Sequence, residues 1–225
     1  MAYNMIGKPH RTGLMLVLLC FVVIIPLYLL RTSWKVESST DDDIGVLRIV
    51  EVTDGDTGLL SDGDAVRLIG IDAPEFEQPY YHDAMRLLAE LCFDREVRLE
   101  YEREKRDKYG RLLAYVFVDD TVFVNERMIL RGMANVYIFP RNQTNKAYRD
   151  RLIAAQSRAR RLGRGVWSLP VPEPVEKYYV GNRKSMRFHR PDCRSVRNAS
   201  PKNLREGTRD EFLDEGYSPC RNCRP

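Results

Sequence analysis

The stretch from Val52 to Glu75 limits what this chain can fold into more than any other part. It reads Val-Thr-Asp-Gly-Asp-Thr, then a turn, then Val-Arg-Leu-Ile-Gly-Ile-Asp-Ala-Pro-Glu. Val66 to Ile71 is β-branched and apolar, with Arg67 the charged exception, which predicts a strand. Asp54 and Asp56 flank the first turn, and Asp72 and Glu75 leave the end of the strand. If the strands pair, four carboxylates crowd around Arg67. Like charges at close range repel, so such a cluster needs a cation or raised pKa values. Hard oxygen ligands of this kind suit Ca²⁺ or Mg²⁺. The competing reading is a polar turn plus a surface ion pair, because Asp-Gly is a common turn signal.

A second stretch, Asp107-Lys108-Tyr109-Gly110-Arg111, opens another apolar strand, Leu112 to Val118. The two stretches together resemble the staphylococcal nuclease (thermonuclease) family. The matching elements are Asp54-Gly55-Asp56-Thr57, then Arg67-Leu68 leading to Asp72-Ala73-Pro74-Glu75, then Asp107-Lys108-Tyr109-Gly110-Arg111. They recur in the family's order and spacing, and the resemblance covers residues 46–168.

Further strands are expected at Leu47–Val52, Val97–Tyr101 and Ala134–Phe139, the last stopped by Pro140. Helices are expected at Asp83–Phe93, Val124–Arg131 and Lys146–Leu162, with Leu152, Ala155, Ala159 and Leu162 on the apolar side of the third. Five strands and three helices make an α+β unit that fits a small five-stranded barrel of the OB type. The resemblance implies the same fold.

The resemblance also implies the chemistry. Cleaving a phosphodiester brings water to a phosphorus shielded by negative oxygens. A divalent cation and guanidinium groups offset that charge. By resemblance, Asp56, Asp72 and the main-chain carbonyl of Ala73 ligate Ca²⁺, and Glu75 is the general base. Arg67 and Arg111 clamp the reacting phosphate by paired hydrogen bonds that lysine geometry does not reproduce. Asp54 and Thr57 support the metal site. Lys108 and Tyr109 contact a neighbouring phosphate. Tyr137 and Phe139 form a platform for a base, although aromatics on a strand commonly belong to the core.

Leu14 to Leu30 carries no charge over 17 residues. It follows a short tail (residues 1–13) and precedes an acidic tether (31–45). We read it as a transmembrane signal anchor, with a cleaved signal peptide as the competitor. The flanking basic residues tie, and the short N-terminal tail favours a single-pass membrane protein with its bulk on the extracytoplasmic side.

After the Pro-rich linker 169–176, residues 177–225 carry 12 basic and 6 acidic residues. That excess suits a polyanion such as nucleic acid. Here His189 and Cys193 lie four apart, and Cys220-x-x-Cys223 forms a knuckle. Two such pairs suit a closed tetrahedral Zn²⁺ site, against a disulfide with one free thiol. The Arg-Pro-x-Cys and Gly-Tyr-x-Pro-Cys-x-x-Cys elements resemble the metal-binding domain of the Ada methylphosphotriester repair protein. His189 stands where that domain has its methyl-accepting cysteine, which argues against repair chemistry.

The reading is a membrane-anchored, Ca²⁺-dependent endonuclease acting on single- or double-stranded DNA and on RNA, with 3′-phosphate products implied by the resemblance. The alternative is a non-catalytic OB-fold module that binds nucleic acid or protein. The joint presence of Asp56, Asp72, Glu75, Arg67 and Arg111 favours the enzyme.

Overall fold

The computed structural model describes residues 46–138 and 145–225, all within one compact unit. The expected anchor, its tether and Phe139 lie outside the described residues. Among the described residues no helix is long and apolar enough to cross a membrane.

The first sheet holds β1 (Ile49–Asp54), β2 (Thr57–Leu60), β3 (Ala65–Leu68), β5 (Val97–Arg106) and β6 (Leu112–Val118), in the order β1-β2-β3-β6-β5. A short β7 (Val122–Phe123) pairs with β6. The outer strands approach each other at one end, through the bridge of Arg48 to Glu96 and the 2.8 Å bond from the Val97 N–H to the Leu47 carbonyl. This α+β arrangement is consistent with the OB-like barrel expected from the sequence.

Three elements depart from the sequence expectation. The run Ala65–Ile71 is two strands, β3 and β4 (Gly70–Asp72), because Gly70 turns the chain with φ +79°. A Cβ there would meet Leu152 Cδ1 at 2.6 Å, so the bend is also a close approach to a helix. β2 gave no separate signal, being four residues with Gly58 inside. β5 continues five residues beyond Tyr101, through Glu102-Arg103-Glu104-Lys105-Arg106. Its outer part is largely exposed, so no apolar alternation marks it, yet Arg106 still pairs with Leu112 across the hairpin.

Helix α1 (Tyr81–Cys92) buries Ala84, Leu87, Leu88 and Cys92. The Cys92 thiol donates to the Leu88 carbonyl at 2.9 Å, and burial pushes its pKa up to about 12. It is a small core residue, as expected. α2 (Val124–Leu130) lies against α3 (Lys146–Arg161). α3 starts at Asn145, whose side chain accepts from the Ala147 N–H at 3.0 Å. Leu162 falls just past the helix and is 54% exposed, whereas the buried side includes Gln156. The core between helices and sheet contains Tyr115, Phe123, Leu68, Ile71, Met128 and Leu152. β8 (Asn135–Tyr137) pairs with β4, setting Asp72 opposite Asn135 and Gly70 opposite Tyr137.

The C-terminal residues form a second sheet. Its strands are β9 (Tyr179–Asn182), β10 (Arg187–His189), β11 (Leu204–Gly207) and β12 (Ser218–Pro219), in the order β11-β9-β10-β12. Two short helices, α4 (Arg194–Arg197) and α5 (Arg209–Asp214), complete it. Thr208 and Glu211 make a capping box at the start of α5. Phe188, Phe212, Tyr179, Leu213 and Tyr217 form a small core with Trp167 packed against it.

This part rests on α3. Buried Gln156 accepts from the Val136 N–H at 2.7 Å and donates to the Leu213 carbonyl at 3.1 Å. Arg160 pairs with Asp210 and with Asp214. Arg190 holds the linker by donating to the carbonyls of Pro172 (3.1 Å) and Glu173 (3.2 Å) and pairing with Glu176 at 2.9 Å.

Candidate active site

The turn between β1 and β2 places the first acidic residues. Gly55 separates Asp54 from Asp56 because a Cβ there would stand 2.8 Å from the Cβ atoms of both Ala73 and Ala84. The turn is thus pressed against the end of β4 and against α1. Asp56 is almost fully buried. One of its oxygens accepts from the Ala73 N–H at 3.0 Å and the other from the Thr57 hydroxyl at 3.1 Å.

Pairing of β2 with β3 sets Thr57 opposite Arg67. Arg67 points its guanidinium into the same space. Nη1 lies 2.6 Å from Asp56 Oδ2, and Nη2 lies 3.6 Å from Asp72 Oδ1. Two carbonyls, of Leu68 at 3.1 Å and Ile71 at 3.2 Å, also accept from it and fix its plane. Burial pushes the Asp56 carboxyl above its ordinary value. The Arg67 charge opposes this, and the negative charges of Asp54 and Asp72 add to it.

The third motif supplies Arg111. Asp107 and Gly110 form a tight turn in which Asp107 Oδ1 accepts from the Tyr109 and Arg111 N–H groups, at 2.9 and 3.1 Å. Asp107 Oδ2 accepts from Arg111 Nε at 2.8 Å. Burial opposes ionisation of Asp107, but the hydrogen bonds from Arg111 and Tyr109 win and hold its pKa below the ordinary 3.8. Arg111 Nη1 reaches the Thr57 hydroxyl at 3.5 Å. Parallel pairing of β3 with β6 brings the third motif beside the first two.

One cleft of about 610 Å³ collects most of the expected residues: Asp54, Asp56, Arg67, Asp72, Glu75, Lys108, Tyr109, Arg111 and Tyr137. Thr57 and Ala73 back it through Asp56. Tyr109 is 72% exposed at the rim, with Lys108 Nζ 4.8 Å from its ring centre. Asp54 turns one oxygen to the Gly55 N–H at 2.7 Å. The Glu75 backbone N–H donates to Gln78 Oε1 at 3.0 Å, fixing the turn after Pro74.

Two arginines of the C-terminal part enter the cleft and have no counterpart in the expected site. Arg221 pairs with both Asp72 and Glu75. Arg187 lies 3.6 Å from Asp72, with its guanidinium 4.5 Å from the Tyr137 ring centre. In the sequence Arg187 is one of the 12 basic residues of 177–225, with nothing to single it out. Nor is there a signal for Arg221, which reads as a spacer inside Cys220-x-x-Cys223.

The expected zinc ligands also meet. Donor atoms of His189, Cys193, Cys220 and Cys223 all lie within 4.8 Å of one another. The three cysteines are free thiols, so the disulfide alternative is not realised. His189 Nδ1 is buried with no hydrogen-bond partner, which suits a nitrogen meant for a metal. Burial, with the neighbouring Cys193 and Cys220 sulfurs, pushes the Cys223 thiol up to about 12, and a cation at this cluster would favour its thiolate.

Buried carboxylates held against a guanidinium, with a second arginine on a tight turn beside them, form a cleft with oxygen donors that could hold a divalent cation and guanidiniums that could hold a phosphate. Comparison with known proteins agrees. The family described as staphylococcal nuclease homologue matches residues 65–169. A thermonuclease of Staphylococcus intermedius is 35% identical, over 71% of this chain and 98% of its own length. A thermonuclease of Staphylococcus hyicus is 30% identical, over 72% and 99%. An uncharacterized endonuclease of Escherichia coli is 35% identical, over 67% and 92%. The chain belongs to the staphylococcal nuclease family, and it is a hydrolase, a nuclease acting on nucleic acid.

Proposed function

We propose that this chain is a membrane-anchored, Ca²⁺-dependent endonuclease that cleaves DNA and RNA with little sequence choice and leaves 3′-phosphate ends. The observation that carries the reading is Arg67, which spans Asp56 at 2.6 Å and Asp72 at 3.6 Å in the cleft that also holds Glu75 and Arg111.

Asp56, Asp72 and the carbonyl of Ala73 would hold the ion. Asp56 suits this role because its buried carboxyl lies close to other negative charges and gains most from a cation. Bound there, Ca²⁺ offsets the charge of the phosphate and its transition state. Glu75 takes a proton from the attacking water. The water oxygen bonds to phosphorus as the bond to the 5′ oxygen breaks, and the leaving oxygen takes a proton from solvent. Arg67 and Arg111 hold the non-bridging oxygens, where charge accumulates. Tyr109 and Lys108 meet the adjoining phosphate at the rim, and Tyr137 offers a face to a base.

The C-terminal part is a structural zinc module held by His189, Cys193, Cys220 and Cys223. Residues 14–30 anchor the chain as a single pass, with the nuclease on the extracytoplasmic side. The non-catalytic alternative has no need of a general base beside two buried carboxylates. The test is cleavage of single-stranded DNA and RNA by the full chain in detergent, with Ca²⁺, with Mg²⁺ and without either. Cleavage requiring Ca²⁺ and lost in Glu75→Gln is the expected result. Equal activity without added divalent cation, or in Glu75→Gln, would overturn it.

A further inference from the structure

Arg221 and Arg187 reach the cleft from outside the family match, which ends at residue 169. Arg221 lies between Cys220 and Cys223, and the Cys220 N–H donates to the Phe188 carbonyl at 2.9 Å. Its backbone is therefore set by the cysteine loop and by β10. From there Nε lies 3.3 Å from Asp72 Oδ2, Nη2 pairs with Asp72 Oδ1 and Nη1 with Glu75. Arg187 is fixed by a 2.9 Å bond from Nη1 to the Pro219 carbonyl.

Charge shows what these residues are for. Arg111 is matched by Asp107. Against Arg67, Arg106 and Lys108, the six remaining carboxylates of the cleft leave a surplus of three negative charges. Even with a divalent cation, that cleft would repel a polyanion. Arg187 and Arg221 reduce the surplus to one, and a divalent cation then makes the cleft positive. If Asp72 held a cation, Arg187 and Arg221, which share it with Arg67, would be released beside the base. Each offers a planar fork suited to phosphate oxygens.

We propose that Arg221, with Arg187 beside it, is a phosphate-binding residue of the nuclease cleft, so that the cysteine-bearing module completes the substrate site. This rests on the reading of the cleft as the phosphodiesterase site. Arg221 has two positions. Without a divalent cation it holds Asp72 and Glu75. With the cation and substrate bound it holds a substrate phosphate and leaves Glu75 free to act as base.

The experiment measures equilibrium binding of a single-stranded DNA oligonucleotide to the full chain at fixed Ca²⁺ and several salt concentrations. Glu75→Gln serves as the background so that cleavage is slow on the time scale of the binding measurement. Adding Arg221→Ala is expected to weaken binding about tenfold and to lower the slope of log Kd against log salt by about 0.7, one phosphate contact on a single strand. Arg221→Lys keeps its charge and should keep the slope while losing part of the affinity. In the otherwise wild-type chain, Arg221→Ala should raise KM more than it lowers kcat. The circular dichroism spectrum and unfolding midpoint of each variant identify any that misfold, in which case Arg221→Lys and Arg187→Lys carry the comparison. Unchanged affinity and slope would overturn the proposal. So would a lower Ca²⁺ requirement with faster cleavage in Arg221→Ala, which would make Arg221 a plug competing with the ion. Absence of Glu75-dependent cleavage in the wild type would overturn the nuclease reading instead.

Discussion

Arg67 Nη1 stands 2.6 Å from Asp56 Oδ2, with both side chains largely out of water. A buried pair of this kind adds little net stability, but breaking it leaves a charge unmatched. Arg67→Ala should therefore lower the metal-free unfolding free energy by about 3 kcal/mol, measured by urea titration. Arg67→Lys keeps the charge and should cost less. It should still reduce cleavage by roughly a hundredfold or more, because an ammonium cannot hold two phosphate oxygens in one plane.

Glu75 is half-exposed, and its carboxylate pairs with Arg221. Glu75→Gln should leave the fold intact and lower kcat by roughly 10²–10⁴-fold, the usual range for a lost general base. Single-turnover cleavage with Ca²⁺ saturating checks this. A loss below tenfold would assign Glu75 to positioning only.

Asp107 gives a pH signature. Its pKa is held below the ordinary 3.8 by Arg111 and the Tyr109 N–H, so its contribution is present above that value and fades as pH falls through the depressed one. Asp107→Asn should cost about 1–2 kcal/mol at neutral pH. The difference from wild type should shrink as pH drops below 3.8. Chemical denaturation from pH 3 to pH 7 tests the sign, and a gap that widens towards low pH would contradict it.

Gln156 joins β8 to α5 through one buried side chain. Gln156→Leu should strand the Val136 N–H and the Leu213 carbonyl and cost about 1–3 kcal/mol for each unsatisfied group. The same variant should loosen the C-terminal part, read out as faster hydrogen exchange across residues 179–225.

The cysteine cluster predicts one tightly held zinc per chain, measured by elemental analysis after dialysis. Cys193→Ser should lower that stoichiometry and shift the emission of Trp167, which packs against the small C-terminal core. Cleavage should fall as well, through loss of Arg221 from the cleft. A zinc-free wild type with an unchanged melting point would remove the metal from the account.

Much of the site was legible because its chemistry is local. Asp54-Gly55-Asp56-Thr57 and Asp107 to Arg111 are turns whose own backbone and side chains aim their charges, as the bonds from Asp107 to residues 109 and 111 show. The strand of Val66 to Leu68 was equally plain from its β-branched run. The break at Gly70 was not, because it depends on Leu152 arriving from a helix some eighty positions away. The outer half of β5 escaped for the opposite reason. Its polar side chains carry no period, and its ladder with β6 is interrupted between Tyr101 and Arg106.

By itself, the sequence determined the residue types of the nuclease centre, their order, the turn geometry that presents them, and the two short-spaced pairs His189/Cys193 and Cys220/Cys223 near the C-terminus. Each of these is set within a few residues by backbone preference and short-range hydrogen bonds. Only the tertiary structure decided that Arg187 and Arg221, which neighbour those pairs in sequence, belong to the cleft of Asp72 and Glu75. Arg221 and Asp72 are 149 positions apart, and no local pattern encodes their meeting. It follows from α3, whose buried Gln156 and paired Arg160 dock the second sheet so that the cysteine loop faces the acidic end of β4.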